Sequence, residues 1–78
     1  MKLNEILWVD GILWEIEGSW HKRSLPHKGF CIVWELDEVH RTDEDDNRTM
    51  VEDHFSIPHN VLTELEDTLY SYTRPDGD

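Results

Sequence analysis

Cysteine is nearly absent from this chain: one residue in 78 excludes an internal disulfide and a Cys-rich zinc site. Long apolar runs are missing too, and without about 18 consecutive apolar residues no membrane-spanning helix is expected. The chain does not open on a charged segment followed by an apolar one, so we expect no secretory signal and a cytoplasmic location. Lys and Arg are scarce, at seven residues against 18 Asp and Glu. The resulting net charge of −11 argues against direct binding of nucleic acid, because phosphates repel it.

The acidic side chains that the chain has in excess are concentrated in one half. Residues 1–34 hold four acidic and four basic side chains, whereas residues 35–78 hold fourteen acidic side chains and three arginines. The second half therefore carries the whole net charge. A chain this short buries only roughly 60–65% of its unfolded surface and has a thin core, which self-repulsion of like charges destabilises further. This cost indicates that the charge serves a function.

The first strand pair is predicted by Asp10-Gly11, a sequence typical of a two-residue type I′ hairpin turn. A two-residue turn fixes the pairing of the flanking strands and separates their side chains onto two faces. One face is nearly all apolar, and we expect it to form the core. It carries Leu3, Leu7, Val9, Ile12, Trp14 and Ile16.

The rest of the chain predicts a loop, a second strand pair and a helix. Residues 18–29 contain two glycines and a proline, which favour a loop. Alternating apolar side chains predict strands over about 30–39 and 48–57, joined by the acidic turn 42–47. A helix begins near His59 or Asn60, with Asn60 as its N-cap. Its apolar stripe consists of Val61, Leu62, Leu65, Leu69 and Tyr72.

These elements predict an α+β fold. We expect a four-stranded antiparallel sheet, made of two hairpins in a meander, with the single C-terminal helix packed on one face, because this is a stable two-layer solution. Residues 1–73 form one ββββα domain, and residues 74–78 form a frayed tail.

Metal binding is weighed and not expected. His40 and His54 could face each other across the third and fourth strands and hold a zinc ion, but surface histidines are the simpler interpretation. The turn 43–47 begins like a calcium-binding EF-hand loop. However, Arg48 stands where that loop requires Gly, and His54 stands where it requires Glu. We expect a solvated acidic turn.

Catalysis is not expected either. Cys31 lies within an apolar strand, where a free cysteine usually behaves as a small hydrophobic residue. No Gly-rich oxyanion or phosphate-binding loop accompanies it, and a domain this small has little volume for a substrate pocket. We therefore expect neither an enzyme nor a cofactor.

The acidic second half predicts a small inhibitor of the kind encoded by phages and mobile elements. Carboxylates that repeat along strands resemble the charge spacing of a nucleic-acid backbone. Such a surface would act as a decoy and block the basic, nucleic-acid-binding groove of a partner protein. The residues that we expect to contact the partner are Glu35, Asp37, Glu38, Asp43, Glu44, Asp45, Asp46, Glu52, Asp53, Glu64 and Asp67.

The alternative is an accessory or antitoxin-like subunit that binds its partner through apolar side chains. The four tryptophans are more than a thin core needs, and Trp is enriched at interface hot spots. The contact would use Trp8, Trp20, Leu13 and Tyr72, and a homodimer through the edge of the first hairpin is a further possibility.

Overall fold

The structure, a computed structural model that describes residues 1–27 and 29–73, contains four strands and one helix. Consecutive strands pair in chain order, all antiparallel, and the helix packs on one face of the sheet, which confirms the predicted fold. The predicted tail 74–78 lies outside the described residues. The elements are β1 (Lys2–Val9), β2 (Ile12–Ser24), β3 (Phe30–Thr42), β4 (Arg48–Met50), a 3₁₀ turn (His54–Ser56) and α1 (His59–Ser71).

The first hairpin has the predicted turn and register. Asp10 and Gly11 have φ of 52° and 79°, as a type I′ turn requires, and Val9 pairs with Ile12. The face predicted to be core is turned towards α1. The buried residues of the whole core are Leu3, Leu7, Trp14, Ile16, Trp20, Ile32, Val39, Ile57, Val61, Leu65 and Leu69.

The predicted loop over residues 18–29 is wrong for its first seven residues. β2 continues to Ser24, and Trp20 pairs with Trp34 of β3. Trp20 is only 5% exposed, and its ring lies 6.4 Å from that of Tyr72. Burial of this large side chain favours the extended conformation, a tertiary contact that glycine and proline content does not reveal.

A β-bulge interrupts the pairing of β2 with β3. Glu17 pairs with Glu38 and Gly18 with Leu36, so Asp37 has no partner. The extra residue shifts the alternation, and Val39 is therefore buried although strict alternation from Ile32 would turn it outwards. At this point a Cβ on Gly18 would lie 2.1 Å from the carbonyl oxygen of Glu35. Glycine is required here for the close approach of two strands.

β4 is much shorter than predicted. It ends at Met50, although the backbone N–H of Val51 still donates to the carbonyl of Val39. The Asp53 carboxylate then accepts the N–H of Phe55 at 3.0 Å, and this local hydrogen bond competes with strand pairing. Residues 54–56 form a 3₁₀ turn for this reason.

The helix begins at His59 as predicted, but the predicted N-cap is wrong. Pro58 occupies the cap position and makes no side-chain hydrogen bond. Asn60 lies inside the first turn, where its amide donates to Asp10 Oδ2 at 2.6 Å and joins the helix to the first hairpin. Tyr72 follows the helix as its C-cap and is exposed, so the buried stripe ends at Leu69. No helix among the described residues is long and apolar enough to cross a membrane.

Candidate functional site

The face of the sheet that α1 leaves uncovered, here called the open face, carries an unusual set of side chains. The strand registers place Trp8 opposite Leu13, and Ile6 opposite Glu15. They also place Glu15 opposite His40, and His40 opposite Met50. A shallow depression of about 90 Å³ on this face is lined by Asn4, Ile6, Glu15, Glu17, Glu38, His40 and Arg48.

One end of the open face is apolar and exposed. Ile6 and Trp8 project from β1 two residues apart and are 65% and 71% exposed. Leu13, directly opposite Trp8, is half-buried. These three side chains form a continuous group, which we call the apolar end. Met50, on the same face but on β4 at the opposite edge of the sheet, is also exposed.

The middle of the open face is acidic. Glu17 of β2 stands directly opposite Glu38 of β3, and both side chains are exposed. Like charges directly opposite each other destabilise a sheet. We call this pair, together with Glu15, the acidic centre. His40 of β3 lies next to the acidic centre, and its Nε2 is 3.4 Å from Glu38 Oε1.

One of the carboxylates in the acidic centre is neutralised. Arg48 Nε donates to Glu15 Oε1 at 2.9 Å, and this hydrogen bond lowers the pKa of Glu15 and raises that of Arg48. The pair is exposed and screened, so it contributes little to stability. Within residues 1–27 and 29–73, the opposed Glu17 and Glu38 make no such ion pair with a Lys or Arg side chain. Towards the other end of the sheet, beyond Glu35, the same face carries His21 and Arg23.

Comparison with protein-family models, curated proteins and solved structures found no match. Function therefore has to be inferred from the side chains themselves.

The predicted acidic contact residues are divided among several surfaces. Glu35 and Glu38 lie on the open face, and Asp37 is exposed at the bulge. Glu52 does not join them, contrary to expectation, because β4 ends before it. With Asp53 it lines a separate groove on the side of α1. Glu64 and Asp67 are exposed on the outer side of α1, away from the sheet.

The turn between β3 and β4 holds the remaining predicted acids, Asp43 to Asp46. Asp43 Oδ1 accepts the backbone N–H of Asp45 at 2.9 Å and of Asn47 at 3.0 Å, and these hydrogen bonds lower the pKa of Asp43, with that of Asn47 contributing most. Asp46 adopts a positive φ of 63°, which Asp tolerates better than most residues. Asp43 and Asp46 thus shape the turn, while Glu44 and Asp45 are exposed.

The predicted aromatic contact is also divided. Trp8 is exposed as expected and faces Leu13, but Trp20 is buried and is no surface anchor. Tyr72 is 58% exposed on the opposite side of the molecule. Its hydroxyl donates to Glu5 Oε1 at 2.5 Å, and this hydrogen bond raises the pKa of Tyr72.

The zinc alternative fails on the register. The β4 partner of His40 is Met50, and His54 lies beyond the strand in the 3₁₀ turn, so the two imidazoles do not face each other across paired strands. In the part of the chain that the structure describes, no group of three His, Cys, Asp or Glu side chains could hold a metal ion. Cys31 is a free, half-buried thiol opposite Arg23.

A groove of about 350 Å³ lies near the start of α1, where β4 leaves the sheet. Its apolar wall includes Trp14 and Val51. The guanidinium of Arg41 lies 5.7 Å from the centre of a Trp14 ring, so that ring already has a cationic partner. Trp14 is therefore not available as a free stacking surface for a ligand.

Sequence reasoning missed the neighbours that make the open face distinctive. Ile6, Glu15 and Glu17 are not among the expected contact residues, although the register of the Asp10-Gly11 turn already places them on the same face of the hairpin as Trp8. What the sequence could not show is Glu38 opposite Glu17, because that pairing depends on the bulge.

Proposed function

We propose that this protein binds a partner protein without catalysing a reaction, and that its open face binds a basic surface which otherwise holds nucleic acid. The observation that supports this function best is the opposed pair Glu17 and Glu38 at the acidic centre. Two like charges on paired positions destabilise the sheet. A basic partner placed over them converts this repulsion into attraction.

The spacing of the carboxylates suits such a decoy. Side chains two residues apart on a strand are about 6.6–6.8 Å apart, and paired strands are about 4.8 Å apart. Glu15 and Glu17 on β2 and Glu35 and Glu38 on β3 therefore form a two-dimensional array of negative charge. Lys and Arg side chains that contact phosphates in a groove would find carboxylates at similar separations.

The test compares two double variants that remove the same net charge from different surfaces. One is Glu17→Gln with Glu38→Gln on the open face, and the matched control is Glu64→Gln with Asp67→Asn on α1. Each is used to capture proteins from nuclease-treated lysate, and captured proteins are purified and tested for DNA competition by fluorescence anisotropy. We expect the wild type and the α1 variant to bind nucleic-acid-binding proteins, and the open-face variant to lose them.

Three results would count against this function. Capture that survives about 0.5 M salt, where charges are screened within a few ångströms, would show that charge does not dominate. Equal loss in both double variants would mean that only the total charge matters. Captured proteins that bind DNA and this chain simultaneously would exclude a decoy.

An accessory subunit is the second candidate, and the exposed apolar end favours it. In that case Trp8 carries the contact and the acids only keep the protein soluble. Trp8→Ala would then abolish capture, whereas Glu17→Gln with Glu38→Gln would leave it unchanged. A homodimer through β1, which lies at the edge of the sheet, would instead be detected as a doubled mass in sedimentation equilibrium.

A further inference from the structure

The apolar end of the open face is too exposed to serve stability. Ile6 and Trp8 are 65% and 71% exposed, so burial in the monomer gives them little free energy. The same strand buries Leu3 and Leu7 on its other face. A tryptophan in this position is typical of the anchor residue in a protein interface.

The acidic centre borders this apolar end directly. Glu15 stands opposite Ile6, and Glu17 is two residues further along the same strand. A second copy of the chain is a poor occupant, because packing two open faces together would bring the exposed Glu17 and Glu38 carboxylates of both copies out of water. An uncharged apolar partner would also desolvate them without compensation.

From this juxtaposition we infer that the open face binds a segment that is both basic and apolar. The inference rests on the proposed function, since it uses the same acidic centre, and it specifies the partner more narrowly. An apolar side chain of the segment packs on Ile6, Trp8 and Leu13. Its Lys or Arg side chains reach Glu17 and Glu38. A surface that only imitated a phosphate backbone would need the carboxylates but not the exposed Trp8.

The distances on the sheet define the segment. Glu17 lies about 6.7 Å along the strands and one strand spacing of about 4.8 Å across from Ile6, and Glu38 lies one spacing further, so the two carboxylates are about 8 Å and about 12 Å from Ile6. Alternate residues of an extended peptide are about 6.6–6.8 Å apart, which is close to the shorter of these distances. A strand-like segment that carries an apolar residue and a Lys two positions apart, and hence on the same face, is therefore a suitable probe.

The experiment uses two labelled twelve-residue synthetic peptides of equal charge, one with three repeats of Leu-Ser-Lys-Ser, which places Leu and Lys on one face, and the other with three repeats of Ser-Ser-Lys-Ser. We expect the Leu-containing peptide to bind the wild-type protein at least tenfold more tightly than the peptide that lacks Leu. Trp8→Ala should remove that advantage and leave the salt dependence unchanged, and Ile6→Ser should act in the same direction. Phe55→Ala is the matched control, because Phe55 is a fully exposed aromatic residue elsewhere on the surface.

The outcomes separate this inference from the proposed function. If Trp8→Ala and Ile6→Ser bind both peptides like wild type while Glu17→Gln with Glu38→Gln weakens both, the inference is wrong and the acidic binding face stands. If Phe55→Ala weakens binding as much as Trp8→Ala, the apolar end has no special role and the inference is again wrong. If the double Gln variant binds both peptides like wild type, the proposed function itself fails.

Discussion

The two faces of this sheet are built by the same strands and differ in what their apolar residues do. On the face under α1, Leu3, Ile16 and Val39 are at most 1% exposed. On the open face, Ile6 and Trp8 stand on either side of the buried Leu7 along β1 and remain largely in solvent. An antiparallel sheet with one solvated face normally places polar side chains there.

This difference separates stability from recognition. Residues on the covered face are constrained by packing, because interiors are as dense as organic crystals and tolerate few changes of volume. Residues on the open face have no such constraint, so an apolar side chain there requires another explanation. Substitutions on the covered face should change folding, whereas those on the open face should change binding.

The largest expected effect is the loss of a covered-face side chain. Leu65 is fully buried between α1 and the sheet, and Leu65→Ala should lower the free energy of unfolding by about 2–5 kcal/mol. Ile6→Ala on the open face should change it by less than about 0.5 kcal/mol. Urea denaturation followed by circular dichroism measures both. Similar losses in the two variants would contradict the division between the faces.

The next effect concerns the β-bulge, where the alternation of side chains between the two faces shifts by one residue. Gly18→Ala places a Cβ against the carbonyl oxygen of Glu35, and we expect a loss of about 1–3 kcal/mol, typical of overpacking. The neighbouring Ser19→Ala is the control, since that side chain is exposed. Denaturant midpoints that coincide for the two variants would show that β2 and β3 can separate there without cost.

A smaller effect of opposite sign is expected at the acidic centre. Glu38→Gln removes the repulsion with Glu17 and should raise the free energy of unfolding by about 0.2–1 kcal/mol, the range of cross-strand pair energies. Glu64→Gln on α1 is the control for the change in net charge. The gain should shrink in a Glu17→Gln background, and a double-mutant cycle without coupling would exclude direct repulsion.

The smallest effect is a pH dependence on the covered side. The hydrogen bond to Glu5 raises the pKa of Tyr72 above its ordinary value, so the folded state holds the phenolic proton more tightly than the unfolded state. This stabilisation is complete below the ordinary tyrosine pKa of about 10 and is lost as pH rises through the higher folded value. Ultraviolet titration of a Tyr70→Phe protein isolates Tyr72. Adding Glu5→Gln should return its pKa towards the ordinary value, and no change would exclude this hydrogen bond.

Local sequence patterns were sufficient for the first hairpin and the helix. Asp10-Gly11 fixes the register of β1 and β2 through backbone geometry alone. The spacing of Val61, Leu65 and Leu69 fixes the buried side of α1. Both features depend on residues close together in the chain, and both agree with the structure.

The features that failed depend on contacts between distant residues or on local hydrogen bonds that compete with strand pairing. The extension of β2 through Trp20 comes from packing against Trp34 and Tyr72, and the early end of β4 comes from the hydrogen bonds of Asp53. The candidate site was only half predicted for the same reason. Exposure of Trp8 follows from the hairpin register, whereas the meeting of Glu17 and Glu38 follows from a bulge that alternation cannot reveal.

The unpaired Asp37 shifts the alternation of side chains along β3 by one residue, so inward-facing positions are even-numbered before the bulge and odd-numbered after it. Deleting this one residue would restore uninterrupted alternation and would still leave Glu38 on the open face and Val39 in the core, because Glu38 would then directly follow the inward-facing Leu36. Substituting Asp37 leaves the alternation on both sides of the bulge unchanged. Natural variation at this point should therefore be free in residue type and should also accept the loss of the residue, so that the opposed carboxylates depend on the strand residues on each side of the bulge and not on Asp37 itself.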